Sequence, residues 1–140
     1  MMFYEHKAQY YETDQMGIVH HSNYIRWFES ARIDLMDQMG ISYKKMEEAG
    51  IISPVLTVNC EYKSMVHFGD EVLIEAGITA YNGVKMSLNY KVTDKFTGEL
   101  RTTGSSSHCF LNREGRPISL KKAAPGFHEN FMKAFGELLS

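Results

Sequence analysis

The stretch Tyr11-Glu12-Thr13-Asp14-Gln15-Met16-Gly17-Ile18-Val19-His20-His21-Ser22-Asn23-Tyr24 delivers a carboxylate, a glycine turn and two histidines to the start of a strongly helical segment. A helix begins with backbone N–H groups that lack an intrahelical acceptor, and with a partial positive charge. Such a terminus binds an anion or polarises a carbonyl oxygen. With Asp14 beside it, an electrophile and a base or nucleophile would share one site. The spacing Thr13-Asp14-x-x-Gly17 also suits an ordinary turn in which the aspartate bonds its own backbone. Spacing alone leaves both readings open.

The helix that would carry this site runs from Asn23 to Met39, with Ser22 as N-cap and Gly40 as its stop. Tyr24, Phe28, Ala31, Leu35 and Met39 form an apolar stripe, widened by Ile25, Trp27 and Met36, so much of the circumference should be covered. Two-residue alternation marks the strands. Leu56, Val58, Cys60 and Tyr62 share one face of the first, and Val72, Ile74, Ala76, Ile78 and Ala80 share one face of the next. Asn82-Gly83 offers the two positive-φ residues of a tight hairpin, and Val84, Met86, Leu88, Tyr90 and Val92 return from it. Thr97-Gly98 then turns into residues 99 to 111, where Thr102 to Ser107 are small and polar on both faces, so that something packs closely there or the strand bulges. Weak alternation over residues 3 to 11 adds a fifth strand, and Phe127, Phe131 and Phe135 after Pro125 predict a short C-terminal helix. The order strand, helix, four strands, helix is α+β, and strands of this length can curl round one long helix.

At 140 residues the chain is expected to form one domain, residues 1 to 140, able to bury a core without disulfides or a structural metal. Fifteen Lys and Arg against 17 Asp and Glu argue against a nucleic-acid face, although a few placed cations could hold a small polyphosphate. Cys60 and Cys109 have no second Cys or His at metal-ligand spacing, which fits free thiols in the cytoplasm. No apolar run approaches a membrane span.

Asp14, Gly17-Ile18-Val19, His21-x-Asn23-Tyr24 and Trp27, followed by Phe68-Gly69-Asp70-Glu71-Val72, resemble the signature of hotdog-fold acyl-CoA thioesterases of the 4-hydroxybenzoyl-CoA thioesterase type, including the Tol-Pal-associated branch. The resemblance covers roughly residues 4 to 120. It implies a five-stranded antiparallel sheet wrapped round the long helix, acyl-CoA as substrate, no metal or organic cofactor, and a homodimer or homotetramer built through an edge strand with shared active sites. It further implies that Asp14 is the catalytic carboxylate and that the backbone N–H of His21 polarises the thioester carbonyl. The His21 side chain is a candidate for orienting water or Asp14, Gly17 shapes the turn, and the Tyr24 hydroxyl is a candidate for lining the acyl pocket with Met16 and Phe28. Arg113 and Arg116, in the most basic stretch, are the candidates for the coenzyme A phosphates, with Lys63, Lys85 and Lys91 as further cations. Glu29 reads as a surface ion pair with Arg26 and Arg32, and His67 and His108 as structural. Two rival readings remain. One is a hotdog hydratase or dehydratase; the other is an acyl-binding or acyl-carrier-associated module without turnover.

Overall fold

The computed structural model describes residues 3–139, with side chains through residue 136. The chain runs β1 (Phe3–Lys7), a 3-10 turn (Tyr10–Glu12), α1 (Ser22–Gln38), α2 (Tyr43–Glu48), β2 (Val55–Tyr62), β3 (Glu71–Tyr81), β4 (Lys85–Asp94), β5 (Leu100–Cys109), α3 (Leu120–Ala123) and α4 (Pro125–Leu139). The five strands form one antiparallel sheet in the order β1-β3-β4-β5-β2. Val72, Ile74, Ala76 and Ile78 of β3 and Met86, Leu88, Tyr90 and Val92 of β4 line one face, as their alternation requires. Tyr24, Trp27, Phe28, Ala31, Leu35 and Met36 of α1 are buried with them in the core.

Several elements differ from the sequence expectation. β1 stops at Lys7, and the backbone turns through the 3-10 segment, leaving Tyr10 exposed. The β3–β4 register shifts between Ile78 and Ala80, so Tyr81 rather than Ala80 turns inward. In the turn that follows only Gly83 has positive φ; Asn82 instead accepts from the Val84 and Lys85 N–H groups through its side chain, and Val84 is exposed. Helix α1 begins at Ser22 with His21 in the capping position, and the Ser22 hydroxyl pairs with His20 rather than capping the helix. The C-terminal helix is 15 residues long, not short, because Phe131 stacks on Tyr81 and packs on Phe110 at the far end of β3. α2 and α3 were not expected at all; each is too brief for a periodic stripe.

The small residues of β5 make room for α1. A Cβ on Gly104 would stand 2.7 Å from Phe28 Cζ and 2.6 Å from the Asn59 carbonyl oxygen. Phe28 instead lies flat on Tyr90, with ring centroids 4.4 Å apart. The inward hydroxyls of β5 join a buried polar chain. Arg32 Nη1 donates to the Tyr90 hydroxyl at 3.2 Å, Tyr90 pairs with Ser106 at 2.7 Å, and Ser106 pairs with His108 Nε2 at 2.7 Å. Arg32 is therefore not a surface partner of Glu29. It is 5% exposed, and its recorded partners are the phenols of Tyr90 and Tyr43.

Burial, with the Arg32 charge adding to it and the Pro54 carbonyl opposing, holds His108 down to about 4. The folded state thus keeps this imidazole neutral, whereas the unfolded chain protonates it near 6.5. Its contribution to stability is complete above about pH 6.5 and is lost as pH falls towards 4. Thermal melts of wild type and His108→Gln are expected to show a gap in Tm that narrows steadily from pH 7 to pH 4. A constant gap would refute this linkage.

Candidate active site

The segment leading into α1 is fixed at both ends by pairing. Thr13 bridges to Val19 and Ile18 to His67, while the Val19 N–H donates to Val66 and the His20 N–H to the Glu12 carbonyl. Within the loop so closed, the Asp14 N–H donates to the Ile18 carbonyl at 2.9 Å and the Gly17 N–H to the Asp14 carbonyl at 3.1 Å. Gly17 takes φ +74°, the left-handed region that a side chain disfavours. Asp14 Oδ1 accepts from the Met16 N–H at 2.8 Å and from the Ile18 N–H at 3.3 Å. Oδ2 has no partner among the described residues. The two readings of Asp14 are thus compatible: one oxygen builds the turn, and the residue also lines a cavity.

That cavity, of about 370 Å³, is walled by Asp14, His20, His21, Tyr24, Tyr62 and Lys63 among others. The His21 N–H has no acceptor among the described residues, whereas the next amide, that of Ser22, donates to His20 Nδ1. The His20 and His21 rings lie 4.1 Å apart, and the Tyr62 hydroxyl stands 3.5 Å from the His21 carbonyl oxygen. Tyr24 is 3% exposed, packs edge-on to Tyr62 and against Trp27, and has its phenol pushed up by burial. It is at once a core residue and a wall of the cavity. An unbonded helix-start amide beside a carboxylate can polarise a carbonyl while a base or nucleophile approaches its carbon.

Glu12 is the anchor that the sequence reading missed. It is 5% exposed and accepts from Trp27 Nε1 at 2.6 Å, from the Gln9 N–H at 2.8 Å and from His6 Nε2 at 2.8 Å. Its carbonyl accepts from Asn23 Nδ2 at 2.8 Å. Glu12 therefore locks the chain two residues before Asp14 to β1 and to the first turns of α1. The buried Trp27 indole, which needs an acceptor, was the one available hint.

Other expected site residues lie elsewhere. Met16 is 78% exposed and Phe28 is sealed against Gly104, so neither lines this cavity. Arg113 donates to the Glu48 carbonyl at 3.1 Å and borders a second cavity, of about 450 Å³, beside α2. Arg116 is exposed and, with Arg113, is not brought to Asp14 of the same chain. Of the named cations only Lys63 lines the Asp14 cavity, where it pairs with Glu61 at 3.2 Å. Among the described residues no cluster of His, Cys, Asp or Glu is placed to hold a metal ion, and no helix is long and apolar enough to cross a membrane.

A curled antiparallel sheet holding one central helix, with a carboxylate ahead of that helix, is the hotdog architecture, and the chain belongs to the thioesterase-like superfamily, which matches residues 9–135. It is 39% identical over 131 residues to YneP of Bacillus subtilis, provisionally named an acyl-CoA thioesterase, covering 93% of this chain and 94% of that one. The DHNA-CoA thioesterase of Staphylococcus aureus superposes with a TM-score of 0.89 at 36% identity, covering 94% of this chain and 88% of the other. Slr0204 of Synechocystis, a 1,4-dihydroxy-2-naphthoyl-CoA thioesterase, has a TM-score of 0.84 at 16% identity, covering 99% and 97%, and supports the fold alone.

Proposed function

We propose that this chain is an acyl-CoA thioesterase, hydrolysing the thioester bond to a free carboxylic acid and coenzyme A. The observation that carries this reading is the unbonded His21 N–H at the start of α1 in the same cavity as the Asp14 carboxylate. The thioester carbonyl oxygen accepts from the His21 N–H, whose partial positive charge favours the oxyanion as it develops. Asp14 then either attacks the carbonyl carbon, giving an anhydride that water cleaves, or removes a proton from an attacking water; in both courses the coenzyme leaves as thiolate. The His21 imidazole, at the cavity wall, serves to orient that water.

The working unit of this reading is a dimer made through β2. This edge strand has exposed apolar residues at Val55, Leu56, Val58 and Tyr62, contrary to the expected burial of one face, and such an edge calls for a cover. Antiparallel pairing with β2 of a second copy would continue the sheet and keep both α1 helices on one side. Lys63 of one subunit, with Arg113 and Arg116 of the other, would supply the cations for the coenzyme phosphates. Cys60 and Cys109 are free, in keeping with a reducing cytoplasm. The hydratase reading needs a catalytic His paired with an acidic residue on the helix, whereas the carboxylate in this cavity, Asp14, stands before the start of α1.

The test is release of free thiol from short-chain, long-chain and aromatic acyl-CoAs. Turnover of at least one class is expected, with aromatic thioesters included because of the substrate named for the Staphylococcus relative. Binding without thiol release from any of them would favour the acyl-binding module instead.

A further inference from the structure

The amides that open α1 are those of His21, Ser22, Asn23 and Tyr24, and residue 20 supplies most of their acceptors. The Ser22 N–H donates to His20 Nδ1 at 3.2 Å, the Asn23 N–H to the His20 carbonyl at 3.0 Å, and the Tyr24 N–H to the His21 carbonyl at 3.3 Å. Only the His21 N–H lacks an acceptor among the described residues. The Ser22 hydroxyl lies 2.9 Å from the same His20 nitrogen. A ring nitrogen that accepts from an N–H carries no hydrogen, so the His20 hydrogen sits on Nε2 and both Ser22 donors face the lone pair of Nδ1.

His20 is fixed on every side that matters for this contact. Its N–H donates to the Glu12 carbonyl at 2.9 Å, and its ring lies 4.1 Å from that of His21. Its carbonyl, besides accepting from the Asn23 N–H, stands 3.4 Å from Asn23 Nδ2. The imidazole is exposed, so it fills no space in the core. It does wall the Asp14 cavity, whereas Ser22, which it covers, does not. Without Nδ1, Ser22 would offer two unbonded donors, N–H and O–H, one residue past the single donor of His21.

We infer that His20 is a positioning residue that restricts the thioester carbonyl to one docking point, the His21 N–H, by holding both donors of Ser22. This rests on the thioesterase reading above. A carbonyl drawn to Ser22 would be bound but displaced from the Asp14 carboxylate, and a misplacement of about 1 Å can cost a hundredfold in rate. The second donor favours that wrong position by about three- to tenfold, the ordinary effect of one additional neutral hydrogen bond. Substrate held unproductively lowers kcat and KM by the same factor and leaves kcat/KM where it was.

The experiment uses acetyl-CoA, palmitoyl-CoA and benzoyl-CoA, with thiol release by the wild-type enzyme deciding the thioesterase reading. The inference is read from variants on whichever of the three is cleaved best. His20→Phe keeps a ring but no acceptor, and is expected to lower kcat and KM together by about three- to tenfold, with kcat/KM held within about twofold. His20→Asn, whose amide oxygen can take the place of Nδ1, should restore both constants to within about twofold of wild type, whereas His20→Gln, which carries its oxygen where Nε2 stood, should behave as the Phe variant does. Should His20→Phe fail to fold, the contrast between Asn and Gln carries the test. A Phe variant with wild-type kcat, restoration by Gln in place of Asn, or a fall in kcat/KM as large as that in kcat, the mark of a merely loosened loop, would each overturn the inference while leaving thiol release by the wild type intact.

Discussion

Asp14→Asn is expected to lower kcat at least roughly a hundredfold while KM stays within a few-fold, measured as thiol release from whichever acyl-CoA the wild type cleaves best. The substitution is informative because of the local geometry. Asparagine keeps a side-chain oxygen that can accept from the Met16 and Ile18 N–H groups, so the turn closed by Gly17 survives. What it removes is the charge, and with it both the nucleophile and the base. The His21 N–H stays in place to polarise a carbonyl, so substrate binding should be largely kept. A variant within a few-fold of wild type would mean that Asp14 only builds the turn.

Glu12→Ala is expected to cost about 3 kcal/mol of folding stability in denaturant titrations at neutral pH, with turnover falling alongside. Three donors converge on this carboxylate, and truncation leaves the buried Trp27 N–H and the Gln9 N–H without acceptors. Burial alone would raise the Glu12 carboxyl, but the bonds from Gln9, Trp27 and His6, with the His6 charge, outweigh it and hold the group below the usual carboxylate range. It therefore stabilises the fold in its charged form. That contribution is present above the ordinary glutamate range and is lost as pH falls through the lowered folded value. A cost under about 1 kcal/mol would show that the 3-10 segment holds its place by backbone pairing alone.

The contrast between Asp14 and Glu12 defines what the sequence could and could not disclose. Asp14 was legible because a short acid, a glycine and a helix start lie within a few residues, where local geometry decides the outcome. Glu12 was not, because its partners Trp27 and His6 meet it only after β1 and α1 pack. The core faces of β3, β4 and α1 followed from periodicity, whereas the run of small residues in β5 left close packing and a bulge both open, and the fit of Phe28 at Gly104 decides for the first. β2 misled because its alternation is real but its position at the sheet edge leaves it exposed in the single chain. Arg32 misled for the opposite reason: an arginine near an acid on a helix reads as solvent-facing, and only the phenols of Tyr43 and Tyr90 make its burial tolerable. Likewise Arg113 was legible as a cation but not as a neighbour of α2, a helix too short to announce itself.

The placement of two cavities at opposite ends of β2 also bears on how such a protein can change over generations. Residues 12 to 24, to which the proposed mechanism assigns the reacting groups, share no wall with residues 43 to 53 in the same chain. Drift in α2 and the segment after it can therefore remodel that end of the strand without disturbing the loop that holds Asp14. A duplicated gene could thus change one end of a single strand while inheriting the Asp14 loop whole.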